Sequence, residues 1–272
     1  MREYSALDVT ADGDVLRDAF DDPDNSNAIG PAAHRELTTV FTDARRHEGI
    51  RVVVLTGNGE TFSAGGDLDR MKDRIEDPEA DPFEHSLQEA ETIVRSLLEL
   101  EKPIVAKVNG HATGLGATLA LFADLVYASE DAKIGDPHVR VGLVAGDGGA
   151  VIWPLLTDMH TAKEFLLTGK MATATEAAEM GLVNEAVPPT ALDDRVDEVV
   201  SDLATGPQTA IRYTKAALNE WLQLGVSRVL RQSLAYEHRS QRDPDHAEAV
   251  DALLADREPD FPSARSADRN EE

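Results

Sequence analysis

Apolar positions along the chain keep two different rhythms, and the changes of rhythm divide it into elements. After Pro31 they recur every three to four residues (Leu37, Val40, Phe41, Ala44), which predicts a helix opened by the proline. Residues 51–56 (RVVVLT) are instead a continuous β-branched run closed by Gly57, the pattern of a strand buried on both faces. Residues 103–108 (PIVAKV) and 124–128 (DLVYA) read the same way, with a helix over about 116–123 between them. Residues 4–20 predict a hairpin turning at Asp12-Gly13, although its second arm, VLRDAF, alternates poorly. The charged stretch 73–86 (DRIEDPEADPFEHS), with two prolines, predicts a surface loop. A helix over about 86–100 follows, with Ile93, Val94, Leu97 and Leu98 on its apolar side. Strand–helix–strand alternation predicts α/β architecture with right-handed crossovers.

From about residue 188 the strand signals cease. Helices are expected near 189–204, 208–223, 225–241 and 244–256, and the tail from about 261 (FPSARSADRNEE) is expected to fray. The division that results is an α/β core over 1–187 and a helical C-terminal region over 188–272. Neither repeats nor low-complexity blocks interrupt it.

Composition narrows the class. With 272 residues, 42% of them hydrophobic, the chain can bury a sizeable core. It has no apolar run of the roughly 18 residues that a bilayer requires, and MREYSALDVTADGD is not a signal peptide. Cysteine is absent, which excludes disulfides and thiolate chemistry and makes the cytoplasm the expected compartment. Asp and Glu number 51 against 26 Lys and Arg, a net charge of −25, and only seven of the 26 are lysines. Such a surface repels itself in dilute buffer, and concentrated salt screens it, with a Debye length of about 3 Å at 1 M. An acidic chain poor in lysine is expected in a halophilic cytoplasm, and it is a poor partner for nucleic acid or membrane.

Two glycine clusters follow predicted strands, FSAGGDL (62–68) and NGHATGLGATLALFAD (109–124). Ligands collect at the carboxyl ends of strands in such sheets, and glycines let backbone N–H groups come close to them. Two loops on neighbouring strands can aim one N–H each at a single oxygen. Neither cluster is a dinucleotide fingerprint or a P-loop. A G-x-S-x-G nucleophile elbow is missing, and the histidines lack zinc-ligand spacing, so no metal is expected.

The string ETFSAGGDLDRM resembles the first oxyanion loop of the crotonase superfamily, the enoyl-CoA hydratase/isomerase family. KPIVAKVNGHATGLGATLALFADLVYASEDAKIGDP resembles the second loop and the strands after it, and GLVAGDGGAVIWP and FLLTGKMATATEAAEMGLVNEAVP match the next landmarks in order. The resemblance implies a crotonase-like (ClpP/crotonase) spiral of ββα turns, a homotrimer or dimer of trimers, and an acyl-CoA thioester as substrate. Coenzyme A would come and go with the substrate, and no cofactor would stay bound. Carried over with the resemblance are oxyanion donors at the backbone N–H groups of Gly66 and Leu115. Coenzyme A contacts carry over to the backbone around Ala64, Gly66, Asp67 and Leu68.

The acid–base positions depart from the hydratase pattern, which has glutamates where this chain carries Thr118 and His138. Asp147, in GDGG, stands where some relatives place a catalytic aspartate, and it could orient His138 and raise its pKa. Glu237, on a C-terminal helix, aligns with a carboxylate that can fold over the pocket. Each has a plainer reading: Asp147 as a helix cap, His138 as a satisfied loop histidine, Glu237 as a solvated charge. His34 and His111 read as structural and packing residues, and Glu36, Asp69 and the carboxylates of 73–84 as solvated surface. The expected function is an acyl-CoA enzyme of the hydratase/isomerase type that stabilises a thioester enolate. His34, His138, Asp147 and Glu237 also resemble the set in β-diketone hydrolases of the superfamily, which cleave a carbon–carbon bond without coenzyme A but lack an AGGD loop. A third alternative is a silent acyl-CoA binder.

Overall fold

The computed structural model describes residues 2–79 and 83–268. The hairpin forms as expected, with β1 (Leu7–Asp12) antiparallel to β2 (Val15–Phe20). The irregular pattern of β2 has a cause. It lies between β1 and β4, and Leu16, Asp18, Ala19 and Phe20 are all buried there. β3 (Ala28–Ile29) leads into α1 (Pro31–Arg46), whose Leu37, Val40, Phe41 and Ala44 face the core. β4 (Val52–Gly57) is buried throughout, and β5 (Gly65–Gly66) pairs with β3.

The loop expected over 73–86 is a pair of helix ends instead. Helix α2 (Leu68–Glu76) runs through its first half and α3 (Phe83–Glu99) begins in its second. Charged residues propagate a helix well when one face is covered, and Arg74 is turned inward and buried there. The carboxylates of Asp73, Glu76, Asp77 and Glu79 are exposed, as expected, while residues 80–82 lie outside the described residues.

Next come β6 (Ile104–Val108), β7 (Ala112–Thr113), α4 (Leu115–Leu121), β8 (Leu125–Ser129) and β9 (Lys133–Gly135). They are followed by α5 (Gly149–Leu156), α6 (Met159–Thr168), β10 (Met171–Thr173), α7 (Ala174–Glu179) and β11 (Glu185–Val187). Among the described residues the main sheet has the order β1-β2-β4-β6-β8-β11 and is parallel except for β1. A second sheet, β10-β9-β7, takes up the chain where it leaves the main strands. Strand alternation divides the core in two: Val53 and Leu55 pack with Phe41 and Ile93, while Val52 and Val54 pack with Tyr127 on the other face.

Helix α8 (Leu192–Thr205) covers that second face with Leu192, Val196, Val200 and Ala204. The break expected between helices at 223–225 is absent. Helix α9 (Gln208–Gly225) continues through a π-helical turn, Val226–Leu230, into α10 (Arg231–Gln241). α9 is anchored by Lys215, whose Nζ lies 2.7 Å from Asp124 Oδ2 and donates to the Lys102 carbonyl at 2.8 Å. α11 (Pro244–Leu254) follows, and the tail expected to fray forms α12 (Pro262–Asp268), with the Ser263 N–H donating to Asp245 Oδ1 at 2.9 Å. Residues 269–272 lie outside the described residues. No helix among the described residues is long and apolar enough to cross a membrane.

Candidate active site

The two glycine loops meet. A Cβ on Gly65 would lie 2.4 Å from the Thr113 carbonyl oxygen, so the loops can touch only because this residue has no side chain. Ser63 holds the contact: its carbonyl accepts from the Thr113 N–H at 2.9 Å, and its Oγ donates to the Asn27 carbonyl at 2.8 Å. Leu115 opens α4, and an N–H in a first helical turn has no acceptor within its helix. Gly66 and Leu115 line one cleft. Asp67 also lines it and caps α2, accepting from the Arg70 N–H at 2.9 Å. Ala64 and Leu68 do not line the cleft, and the Ala64 N–H donates to the Ser26 carbonyl at 3.0 Å.

His138, Asp147 and Glu237 reach the same cleft from separate elements. His138 opens a 3-10 turn (His138–Val141) after Pro137. Its Nδ1 bonds Asp136 Oδ1, and its Nε2 lies 3.4 Å from Asp147 Oδ2. Asp147 was expected to orient the imidazole, but Asp136 holds it at Nδ1 and Asp147 faces the opposite nitrogen. Burial alone would lower the His138 pKa. The charges of Asp136 and then Asp147 outweigh it and hold the ring well above the usual histidine range. The sequence signal for Asp136 was its place two residues before the histidine in GDPH, where a tight turn brings the two side chains together.

Two of the plainer readings fail. Asp147 makes no cap bond, because Gly148 occupies the N-cap of α5. Instead Asp147 is buried and accepts from Thr118 Oγ1 at 3.4 Å. Glu237 is buried as well, on α10, and its Oε2 has no hydrogen-bond partner. Burial first, then the charge of Asp147, push its pKa up to about 8. α10 comes this close at a glycine: a Cβ on Gly146 would lie 2.5 Å from Glu237 Oε2 and 2.6 Å from the Ser233 carbonyl oxygen.

Among the other residues singled out, His34 is buried, lines the cleft and pairs through Nδ1 with Glu89 Oε2 at 2.6 Å. His111 is exposed rather than packed, with Nδ1 accepting from the Lys133 N–H at 3.1 Å. Glu36 is a latch rather than a solvated charge, accepting from the Ser5 and Ala6 N–H groups at 2.7 and 2.9 Å. Arg74 and His246 are among the cleft residues that escaped sequence reasoning. Arg74, whose Nη2 donates to Ser86 Oγ at 3.0 Å, was hidden in the stretch read as a loop. His246, whose Nδ1–H donates to the Val141 carbonyl at 2.6 Å, carried no signal. Asp136, His138 and Asp147 offer ligand atoms within 4.8 Å of one another, but both ring nitrogens face carboxylates, so the imidazolium supplies the positive charge there.

A chain that brings two glycine loops and a buried His–Asp–Glu cluster to one cleft has relatives among known proteins. The enoyl-CoA hydratase/isomerase family model matches residues 11–264. The short-chain-enoyl-CoA hydratase of Clostridium acetobutylicum is 31% identical over 84% of this chain and 86% of its own. The crystal structure of an enoyl-CoA hydratase/isomerase from Mycobacterium paratuberculosis superimposes with a TM-score of 0.86 at 34% identity, over 92% of this chain and 99% of that one. A β-diketone hydrolase from the cyanobacterium Anabaena, bound to (S)-3-oxocyclohexyl acetic acid, superimposes with a TM-score of 0.80 at 31% identity, over 88% and 94%. The chain belongs to the enoyl-CoA hydratase/isomerase family of enzymes and has the crotonase fold.

Proposed function

We propose that this protein is an acyl-CoA enzyme of the enoyl-CoA hydratase/isomerase type. One observation carries the reading: Gly66 and Leu115 line the same cleft as His138, Asp147 and Glu237. A thioester oxygen between the two backbone N–H groups would gather charge as an enolate forms, where each preorganised donor contributes about 3–4 kcal/mol. Proton transfer at Cα and Cβ falls to the buried cluster, which does the work of the glutamates that Thr118 and His138 replace. Coenzyme A binds as part of the substrate, its adenine and pantetheine against the backbone of Ala64, Gly66, Asp67 and Leu68, and no cofactor stays bound. With the Ala64 N–H donated to Ser26, the Ala64 carbonyl is the group that can accept from it.

The protein works as a trimer or dimer of trimers in a salt-rich cytoplasm. Support for assembly comes from Tyr213, Leu218, Trp221 and Leu224 of α9, whose apolar side chains are exposed in the single chain. Support for the salt-rich setting is the charge of −25.

A second reading is CoA-independent hydrolysis of a cyclic β-diketone. It is favoured by the convergence of His34, His138, Asp147 and Glu237 on one cleft. Crotonyl-CoA hydration, calorimetric titration with a non-reactive acyl-CoA and cleavage of a cyclic 1,3-diketone separate the possibilities. Turnover and affinity for the thioester are expected. Diketone cleavage without CoA affinity would give the assignment to the hydrolase, and affinity without turnover to a silent binder.

A further inference from the structure

His138 is the obvious proton carrier of the cluster, yet its surroundings deny it that role. One ring nitrogen is bonded to Asp136 and the other faces Asp147, so both N–H positions are matched to an acceptor. Asp136 is 1% exposed and Asp147 6%, so water does not dilute either interaction. A neutral imidazole here would turn a bare nitrogen lone pair towards a carboxylate. The doubly protonated ring suits both sides.

Asp67 is engaged as the cap of α2, His34 with Glu89 and His246 with the Val141 carbonyl, which leaves Asp147 and Glu237 lining the cleft in opposite surroundings. Asp147 faces the imidazolium and accepts from Thr118 Oγ1. Glu237 has a buried, unpartnered Oε2, and the charged groups that act on it are Asp147, Asp136 and His138 from the loops and Arg74 from α2. Burial comes first and the carboxylates outweigh the cations, so Glu237 keeps its proton up to about pH 8. Glu237, buried without a partner, is placed to give a proton, and Asp147, against the imidazolium, to take one.

Resting on the acyl-CoA reading, we propose that Asp147 is the general base and Glu237 the general acid of this cleft. His138 and Asp136 are positioning residues, a fixed imidazolium and its anchor. In hydration of a 2-enoyl thioester, Asp147 takes a proton from water as the water oxygen bonds to Cβ. The π pair of the Cα–Cβ double bond moves towards the thioester, and its oxygen takes up charge between Gly66 and Leu115. Glu237 then delivers its proton to Cα, giving the 3-hydroxyacyl thioester. Proton transfer from Asp147 back to Glu237 resets the site.

Two measurements test this on the intact protein. The first is ¹⁵N NMR of the imidazoles, with His138 assigned among the eight histidines by loss of its signals in His138→Gln. Both ring nitrogens of His138 are expected to stay protonated through neutral pH, and a neutral ring at about pH 7.5 overturns the proposal. The second is the pH dependence of crotonyl-CoA hydration. The rate is expected to fall on the alkaline side with a midpoint near the Glu237 value of about 8. Glu237→Gln and Asp147→Asn should each lower kcat about 10²–10⁴-fold while acyl-CoA affinity stays within about threefold of wild type. Wild-type turnover that survives either substitution would also overturn it. A wild type that neither binds nor turns over thioesters removes the acyl-CoA reading together with this inference. Turnover with a neutral His138 ring removes the inference alone.

Discussion

Replacing Asp18 by leucine should stabilise this protein, and by more at alkaline than at acid pH. Asp18 points from β2 to the same side as Leu16 and Phe20, between Val9 of β1 and Leu55 of β4 in register. It is 0% exposed, and neither carboxylate oxygen has a hydrogen-bond partner. Burial, then the charges of Glu36 and Asp8, raise its pKa from 3.8 to about 7. Between those two values the folded chain holds a proton that the unfolded chain has released, so stability falls as pH rises through the window and levels off above it. A gap of about three units at about 1.4 kcal/mol per unit is a penalty on the order of 4 kcal/mol in neutral and alkaline solution. Of this, about 3 kcal/mol accrues between about pH 5 and pH 8. Leucine has the branching of aspartate, with methyl groups in place of the two oxygens, so it removes the charge with little repacking. Denaturant unfolding of wild type and Asp18→Leu at those two pH values, in one salt, gives the double difference. A stabilisation equal at both, or a loss at both, would refute the reasoning.

Gly149→Ala should lower thioester turnover about 10–100-fold, the equivalent of a lost hydrogen bond to a charged group, because the new Cβ would lie 1.8 Å from Asp136 Oδ2; steady-state kinetics of the variant would show it. Lys215→Met should destabilise by about 3 kcal/mol in denaturant titrations, since it leaves Asp124 without its cation while the Ile104 N–H still donates to it at 2.7 Å. The thermal midpoint should rise as KCl increases from about 0.1 M to above about 2 M, and a flat or falling midpoint would contradict screening of the acidic surface. Light scattering in high salt should find a trimer or a multiple of it, and Trp221→Glu should shift it towards monomer by placing a charge in the exposed stripe of α9.

Elements that bury both faces were the most legible. The valine run of β4 admits a single reading, because its odd and even residues both need apolar neighbours, and it lies within one residue of the expected place. The glycine loops were legible for a related reason: a residue without a side chain where two backbones meet leaves a mark that composition does not blur. The stretch 73–86 misled because charge and proline describe what faces water, while the inward turn of Arg74 depends on what covers it. The break expected between 223 and 225 does not form, because Val226 and Leu230, at the two ends of the π turn, are buried and carry the helix across. Partner choice was least legible. Asp136 and Asp147 are both near His138 in the chain, and only the turn after Pro137 decides which nitrogen each one meets.

The π-helical turn also makes chain length a determinant of chemistry. A five-residue hydrogen-bonded step counts one residue more than an α-helical step, so all that follows is advanced by about 100° around the rod. Before the turn the helix shows Trp221 to the outside; after it, Leu234 and Glu237 face inward. A single-codon deletion within 226–230 would restore the ordinary winding and swing Glu237 off Gly146, with every cleft residue still encoded. Alignments that treat one-residue gaps in this helix as neutral therefore pass over a difference as large as the loss of a side chain from the cleft.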